Sequence, residues 1–288
     1  MPRARIAIAT CAGYDDLKVG DALLREALGA RGCEAASVLW DQHGVVWDSF
    51  DLCLVRSTWN YHDKHAEFLA WAQGVEEATR LQNPANLITW NSEKTYLREL
   101  AAAGVRTVPT VWVEPGAAIE IDVVLQERGW KQAVIKPVVD LGARNLRRVK
   151  AGTGEAGNAL EATRTRHEAM VQPFLPSLEE QGELSLIYLG GKLSHAVRKR
   201  PAPGDFRVQS IWGGTATPER PDPQHVEVAE QALAHLAEPP LYARIDLVND
   251  LEAKPALIEL ELIEPNLYLQ TDPSAAEHLA GRVIAQLS

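Results

Sequence analysis

Tyr242-Ala-Arg-Ile-Asp-Leu-Val248, then a polar break, then Ala256-Leu-Ile-Glu-Leu-Glu-Leu-Ile-Glu-Pro-Asn266 is the stretch from which the fold is read. Both segments alternate or run apolar and are rich in Ile, Leu and Val, which predicts two strands. Asn249-Asp250 supplies turn chemistry between them, so a hairpin with a loop of several residues is expected. Side chains on a strand repeat every second residue, which puts Asp246 on a face with Arg244 and Glu264 on a face with Asn266. Two carboxylates and an amide oxygen are hard ligands that suit Mg²⁺ shared with phosphate oxygens. A sheet with solvated acids on its outer face fits the same residues.

The rest of the chain bounds the function. Its 288 residues are enough for two or three compact units. A net charge of −10 argues against a nucleic-acid partner, which a basic footprint would mark. Cys11, Cys33 and Cys53 lack paired ligand spacing, so neither a zinc site nor a disulfide framework is expected. The apolar run Ile6–Thr10 is too short for a secretory core and reads as a first buried strand, with no membrane span anywhere. A cytoplasmic protein is expected.

Working back from the hairpin, the first 90 residues alternate strand and helix. Strands are expected at Ile6–Thr10, Ala35–Trp40 and Asp51–Arg56, with helices over Asp16–Ala30 and His65–Ala78. That order implies a small parallel α/β sheet, whose ligands sit beyond the carboxyl ends of the strands. Tyr14 follows the first strand there, and Arg56-Ser57 closes the third. Arg56 could clamp a carboxylate in bidentate fashion. It could equally pair with a local Asp while Ser57 caps the next helix.

A helix over Asn91–Gly104 carries Lys94, with Asn91 or Ser92 as its cap. The strand Ala133–Pro137 carries Lys136, which is costly to bury without an anion. The loop containing Gly142 returns into Arg147–Lys150 and could lay backbone N–H groups over phosphates. A polar helix over Gly157–Glu168 leads to Met170–Pro176, either a linker or an extended connector able to bond an adenine edge. A hairpin follows, Gly182–Leu189 with Lys192–Lys199, and Arg198–Arg200 and Arg207 concentrate positive charge beside it. A helix over Ala275–Leu287 closes the chain.

Lys94, Ile135-Lys136-Pro137, Val171-Gln-Pro-Phe174, Gly182-Glu183, Arg244-Ile-Asp246 and Glu264-Pro-Asn266, in that order, resemble the ATP-grasp ligase superfamily. The resemblance covers about residues 90–285. It implies a mixed α/β and α+β chain with a small N-terminal parallel-sheet domain and two lobes sandwiching ATP. The corresponding units are 1–90, 91–170 and 171–288. The resemblance also implies roles. Lys94 and Lys136 would contact phosphates under the Gly142 loop, Gln172 to Phe174 would grip adenine, and Glu183 would hold the ribose hydroxyls. Asp246, Glu264 and Asn266 would bind two Mg²⁺, or Mn²⁺ in their place, with Glu259 and Glu261 as competitors that the Glu-x-Asn spacing disfavours. Arg244 and Arg207 would steady the transferred phosphoryl group. Gln172 stands where many relatives carry an acid, and the phosphate loop is poor in Gly.

Such enzymes phosphorylate a carboxylate and let a nitrogen displace the phosphate. The start Ala9-Thr-Cys-Ala-x-Tyr14 and the segment Val55–His62 look like a compact group of ATP-grasp proteins. Its nameable activity is the closure of O-ureido-D-serine to D-cycloserine, in antibiotic biosynthesis. An intermolecular amino-acid ligase and a non-catalytic ATP-binding protein are the alternatives. The implied partner is a small amino-acid-like molecule met by Tyr14, Arg56, Ser57 and Lys199, and members of the superfamily often form homodimers.

Overall fold

A computed structural model of the chain describes residues 3–17, 19–164 and 167–287. Parts of two expected helices, at Lys18 and at Thr165-Arg166, lie outside the described residues. The first unit is a parallel sheet of β1 (Arg5–Thr10), β2 (Glu34–Leu39), β3 (Leu52–Ser57) and β4 (Arg80–Gln82), in the order β2-β1-β3-β4. Two helices, α1 (Val19–Ala30) and α2 (His65–Ala78), belong to it. The pleat of β3 sends Leu52 and Leu54 toward α1, while Cys53 and Val55 pack with Phe68 and Ala72 of α2. That two-sided burial explains why β1 and β3 read as continuous apolar runs. The short edge strand β4 was not expected from the sequence.

The expected helix over Asn91–Gly104 is two helices, α3 (Ala85–Asn91) and α4 (Tyr96–Ala102). Lys94 therefore sits in the turn between them, not on a helix. The break has a local cause. The Lys94 N–H donates to the Val138 carbonyl at 2.9 Å, and the Asn91 amide bridges Leu260 O and Leu262 N at 2.8 Å each. The Lys94 N–H is thereby spent on another segment instead of on helix continuation, and the Asn91 side chain ties the end of α3 to the β13 segment.

The middle sheet is antiparallel: β5 (Val111–Val113), β6 (Gln132–Pro137), β7 (Arg147–Lys150) and β8 (Ala169–Pro173), ordered β5-β8-β6-β7. Helices α5 (Ile121–Glu127) and α6 (Glu155–Thr163) bury Leu125 and Leu160 against it. Because β8 completes this sheet, a boundary between residues 170 and 171 would cut a strand; the change of sheet comes after Pro173. A one-turn helix, α7 (Ser177–Glu180), follows.

The last sheet is also antiparallel: β9 (Glu183–Leu189), β10 (Lys192–Arg200), β11 (Thr215–Pro218), β12 (Tyr242–Asn249) and β13 (Pro255–Glu261), ordered β11-β10-β9-β12-β13. Its helices are α8 (Pro223–Leu233) and α9 (Ala275–Ala285), and α9 packs against both β9 and α1. The hairpin read at Tyr242–Asn266 is present, but β13 ends at Glu261 and Glu264 lies beyond it. Gly182 enters β9 with φ +80°, and a Cβ there would stand 2.1 Å from the Lys199 carbonyl oxygen. Only glycine allows the chain to turn so close to β10 and place Glu183 opposite Lys199.

Candidate active site

The site is built by strand register. Asp246 on β12 faces Glu259 on β13, and Arg244 faces Glu261. On the other side of β12, Asp246 faces Ser185 of β9, while Glu183 of β9 faces Lys199 of β10. Period-2 alternation thus gathers four acids and two cations on one face of the C-terminal sheet.

Asp246, 1% exposed, is the most enclosed of these acids. It accepts from Ser185 Oγ at 2.5 Å, Lys199 Nζ at 2.9 Å and Arg244 Nη2 at 2.9 Å. Burial opposes its charge, but Arg244 and Lys199 outweigh burial and hold its pKa below the ordinary carboxylate range. Lys199 also pairs with Glu183, and Arg244 with Glu261. Burial raises Glu183 to about 8 despite Lys199, and raises Glu261 to about 7 despite Arg244.

The middle unit faces this sheet with cations. Lys94 Nζ lies 3.0 Å from Glu259 Oε1 and donates to the Asp140 carbonyl at 2.7 Å. Lys136 on β6 is buried, and it has no ion-pair or hydrogen-bond partner among the described residues. Desolvation lowers its pKa. Glu259 opposes that shift without pairing directly, and a buried ammonium so incompletely balanced is a standing cost that an anion in the cavity would remove.

One cavity connects these groups and is walled by both antiparallel sheets. Val108, Val134, Leu175, Leu178 and Ile258 make one part of it apolar, and Gln172 lies at that part with its amide held by Thr110 Oγ1 at 2.9 Å. Phe174 is buried, with the Arg148 guanidinium 3.5 Å from its ring centroid. Gly142 lines the cavity, and its carbonyl accepts from Trp212 Nε1 at 2.8 Å. Arg207 lies over the Trp212 ring at 3.5 Å and pairs with Asp205 at 2.7 Å. Tyr14 lines the same space and meets Trp59 edge-to-face.

Two expectations change. Asp246, Glu259 and Glu261 offer carboxylate oxygens all within 4.8 Å of one another, a grouping of acids that does not contain Glu264. Three carboxylates suit a hard divalent cation. Glu264 and Asn266 line the cavity, but the Asn266 Oδ1 accepts from Tyr268 N at 3.0 Å. The strand rule that placed Asp246 also selects Glu259 and Glu261, whereas Glu264 falls past the end of β13. The second change concerns Arg56 and Ser57. Arg56, 2% exposed, donates to Asp21 Oδ1 at 2.8 Å and to Pro265 O at 2.7 Å, and Ser57 Oγ donates to Asp21 Oδ2 at 2.7 Å. Asp21 of α1 consumes both, so neither lines the cavity. Asp140, which supports Lys94 and accepts from Asn145 at 2.9 Å, was not singled out from the sequence.

Residues 107–266 match the family model for the ATP-grasp domain of prokaryotic glutathione synthetase. The chain belongs to the ATP-grasp carbon–nitrogen ligases. The ATP-grasp family binds ATP and a divalent metal ion, which fits the cations and carboxylates that meet in this cavity. Residues 6–83 match the N-terminal domain of D-cycloserine synthetase DcsG. The cycloserine biosynthesis protein DcsG of Streptomyces lavendulae is 30% identical over 276 residues, 92% of each chain. A crystal structure of D-cycloserine synthetase DcsG superposes with a TM-score of 0.89 at 28% identity, covering 99% of this chain and 100% of that one. D-alanine–D-alanine ligase of Bacillus anthracis, at 13% identity and TM-score 0.70 over 99% of this chain and 97% of its own, shares the ATP-grasp fold.

Proposed function

We propose that the chain activates the carboxylate of a small amino acid as an acyl phosphate and closes it onto the same molecule's nitrogen, converting O-ureido-D-serine to D-cycloserine. Likeness to DcsG along both units supports the substrate. The observation that carries the chemistry is the register pairing of Asp246 with Glu259, which lines one cavity with Lys94 and Lys136.

In this reading the apolar part beside Gln172 receives adenine and Glu183 receives the ribose. Lys94 and Lys136 meet the phosphates, and Gly142 closes over them. Asp246, Glu259 and Glu261 hold divalent ions, two Mg²⁺ in the fullest form, which supply neutralisation of phosphate charge. Arg244 and Arg207 take up the charge that develops on the transferred group and on the carbonyl oxygen. Protein side chains form no covalent bond; they orient the reactants and exclude water from the acyl phosphate.

The ureido nitrogen bonded to oxygen attacks the activated carbonyl, and the former carboxylate oxygen departs within phosphate. Atom balance then requires one water to release the carbamoyl group as carbon dioxide and ammonia. The enzyme would work in the cytoplasm, where ATP is supplied; no helix among the described residues is long and apolar enough to cross a membrane.

Phosphate release tests the reading. O-ureido-D-serine alone, with ATP and Mg²⁺, should give ADP, phosphate and D-cycloserine. Release that requires two different amino acids would point to intermolecular coupling, and none with any substrate would leave only ATP binding.

A further inference from the structure

Glu264 differs from every other acid of the cavity. Glu183, Glu259 and Glu261 are each ion-paired, and Asp140 accepts from Asn145 Nδ2 at 2.9 Å. Glu264 is only 5% exposed and lines the cavity, yet no cation or hydrogen-bond donor among the described residues reaches its carboxyl group. A buried carboxyl group without a partner is costly, and a ligand group able to complete it would remove that cost.

The backbone under this carboxyl is held firmly. Leu262 O accepts from Asn83 Nδ2 at 2.7 Å, and Ile263 O accepts from Tyr242 OH at 3.1 Å. Glu264 O accepts from Trp59 Nε1 at 3.0 Å, and Pro265 O accepts from Arg56 Nη2 at 2.7 Å. Four consecutive carbonyls are therefore fixed by side chains, three of them from the N-terminal unit. The buried Arg56–Asp21 pair serves this ladder, which gives it a purpose away from the ligand. Rigid support of this kind is what a recognition group needs to discriminate.

We propose that Glu264 receives the ammonium group of the substrate's amino-acid moiety through charge-assisted hydrogen bonds. Glu264 then orients the molecule with its carboxylate toward Arg244 and the phosphates. The contact is non-covalent: no bond to Glu264 forms or breaks. The inference rests on the proposed function and specifies its substrate subsite. An α-amino acid is the ligand class, and a simple carboxylic acid of the same shape is the discriminated one.

The test is ADP formation with ATP and Mg²⁺ by the wild-type protein and by Glu264→Gln. The substrates are O-ureido-D-serine and a panel of D- and L-amino acids, each paired with its des-amino counterpart. Wild type should favour the amine-bearing member of the best pair by ~10³-fold or more in kcat/KM, because a site built for a polar group rejects the analogue lacking it. Glu264→Gln should lose ~10- to 100-fold on the amine-bearing member, chiefly as raised KM, the scale of a hydrogen bond to a charged group. It should leave the des-amino member within about threefold, since that member never made the contact.

Melting temperature and affinity for a non-hydrolysable ATP analogue establish that Glu264→Gln is folded, with Glu264→Asp as a charge-conserving second variant. The wild-type preference decides the matter even if both variants fail to fold. Equal use of both pair members by wild type overturns the inference, as does an equal loss on both in the variant. A shifted Mg²⁺ requirement with the preference intact would also overturn it. Turnover of another amino acid but not of O-ureido-D-serine removes only the substrate named above, and the pair ratio for that amino acid still decides Glu264. No turnover with any acid removes the function and this inference together.

Discussion

Asp246 and Glu259 are direct cross-strand partners on β12 and β13, and each is already claimed by cations, Asp246 by Arg244 and Lys199, Glu259 by Lys94. The pairing separates two kinds of substitution. Glu259→Gln keeps the volume and removes the charge of a largely buried group, leaving Lys94 its bond to the Asp140 carbonyl. It should lower turnover by ~10²-fold or more and raise the Mg²⁺ concentration needed for half-maximal rate, with a smaller loss of stability than Asp246→Ala. Asp246→Ala would in addition take one of two carboxylate partners from each of two buried cations, at a cost of ~3–5 kcal/mol in stability. Turnover against Mg²⁺ together with urea unfolding distinguishes the two; near-normal turnover of either would remove these residues from the metal site.

Lys136 should behave in the opposite sense in the free and loaded protein. Glu259, Asp140 and Glu183 favour its charge, but none is an ion-pair or hydrogen-bond partner and burial outweighs them, so the charge is undercompensated until an anion arrives. Lys136→Met should therefore leave the ligand-free protein as stable as wild type or more so, by ~1 kcal/mol or above. The same change should shrink the stabilisation that saturating ATP confers, which follows the logarithm of ligand over Kd. Thermal melting with and without ATP reads both effects. A variant that is less stable when free, with its ATP response intact, would contradict the phosphate role.

These two sites also mark what a sequence can disclose. The β12–β13 hairpin was legible because an apolar run of period 2 needs no partner to be recognised, and Lys136 was legible because a charge inside such a run is conspicuous. Lys94 was placed on a helix because the helix break depends on Val138, far along the chain. Glu264 was read as a metal ligand on the strand because the end of β13 is set by distant side-chain amides, Asn91 accepting from Leu262 N and Asn83 donating to Leu262 O. Whether Arg56 clamps a ligand or pairs with an Asp stayed open because its partner Asp21 is 35 residues away, on α1. Local periodicity is written in the chain, whereas pairing across elements is decided only when the elements dock.

Arg56→Met separates the structural from the substrate-clamp reading of that residue. It would leave Asp21 as an uncompensated buried charge and Pro265 O without its donor, costing ~3–5 kcal/mol. The folded fraction should still bind an ATP analogue with wild-type affinity, because Arg56 does not line the cavity. Chemical denaturation and calorimetric titration are the measurements; unchanged stability with lost substrate binding would restore the clamp.

His195 gives the fold an acid-sensitive point near the site. On β10 its Nε2 lies 2.9 Å from the Leu267 carbonyl, so that nitrogen donates, and Ser194 Oγ lies 3.0 Å from Nδ1. Burial lowers its pKa below 6.5, with the Leu267 contact opposing. The unfolded chain therefore binds more protons than the folded one between the lowered value and about 6.5. Stability from this residue is fully present above that window and is lost as pH falls through it. His65 and His225 are lowered by burial too, so the total slope is shared. His195→Asn retains a donor for Leu267 but cannot titrate. Its unfolding free energy, measured in urea from pH 8 down to 5, should fall less steeply than that of wild type. Parallel curves would show that the His195 proton is not linked to folding.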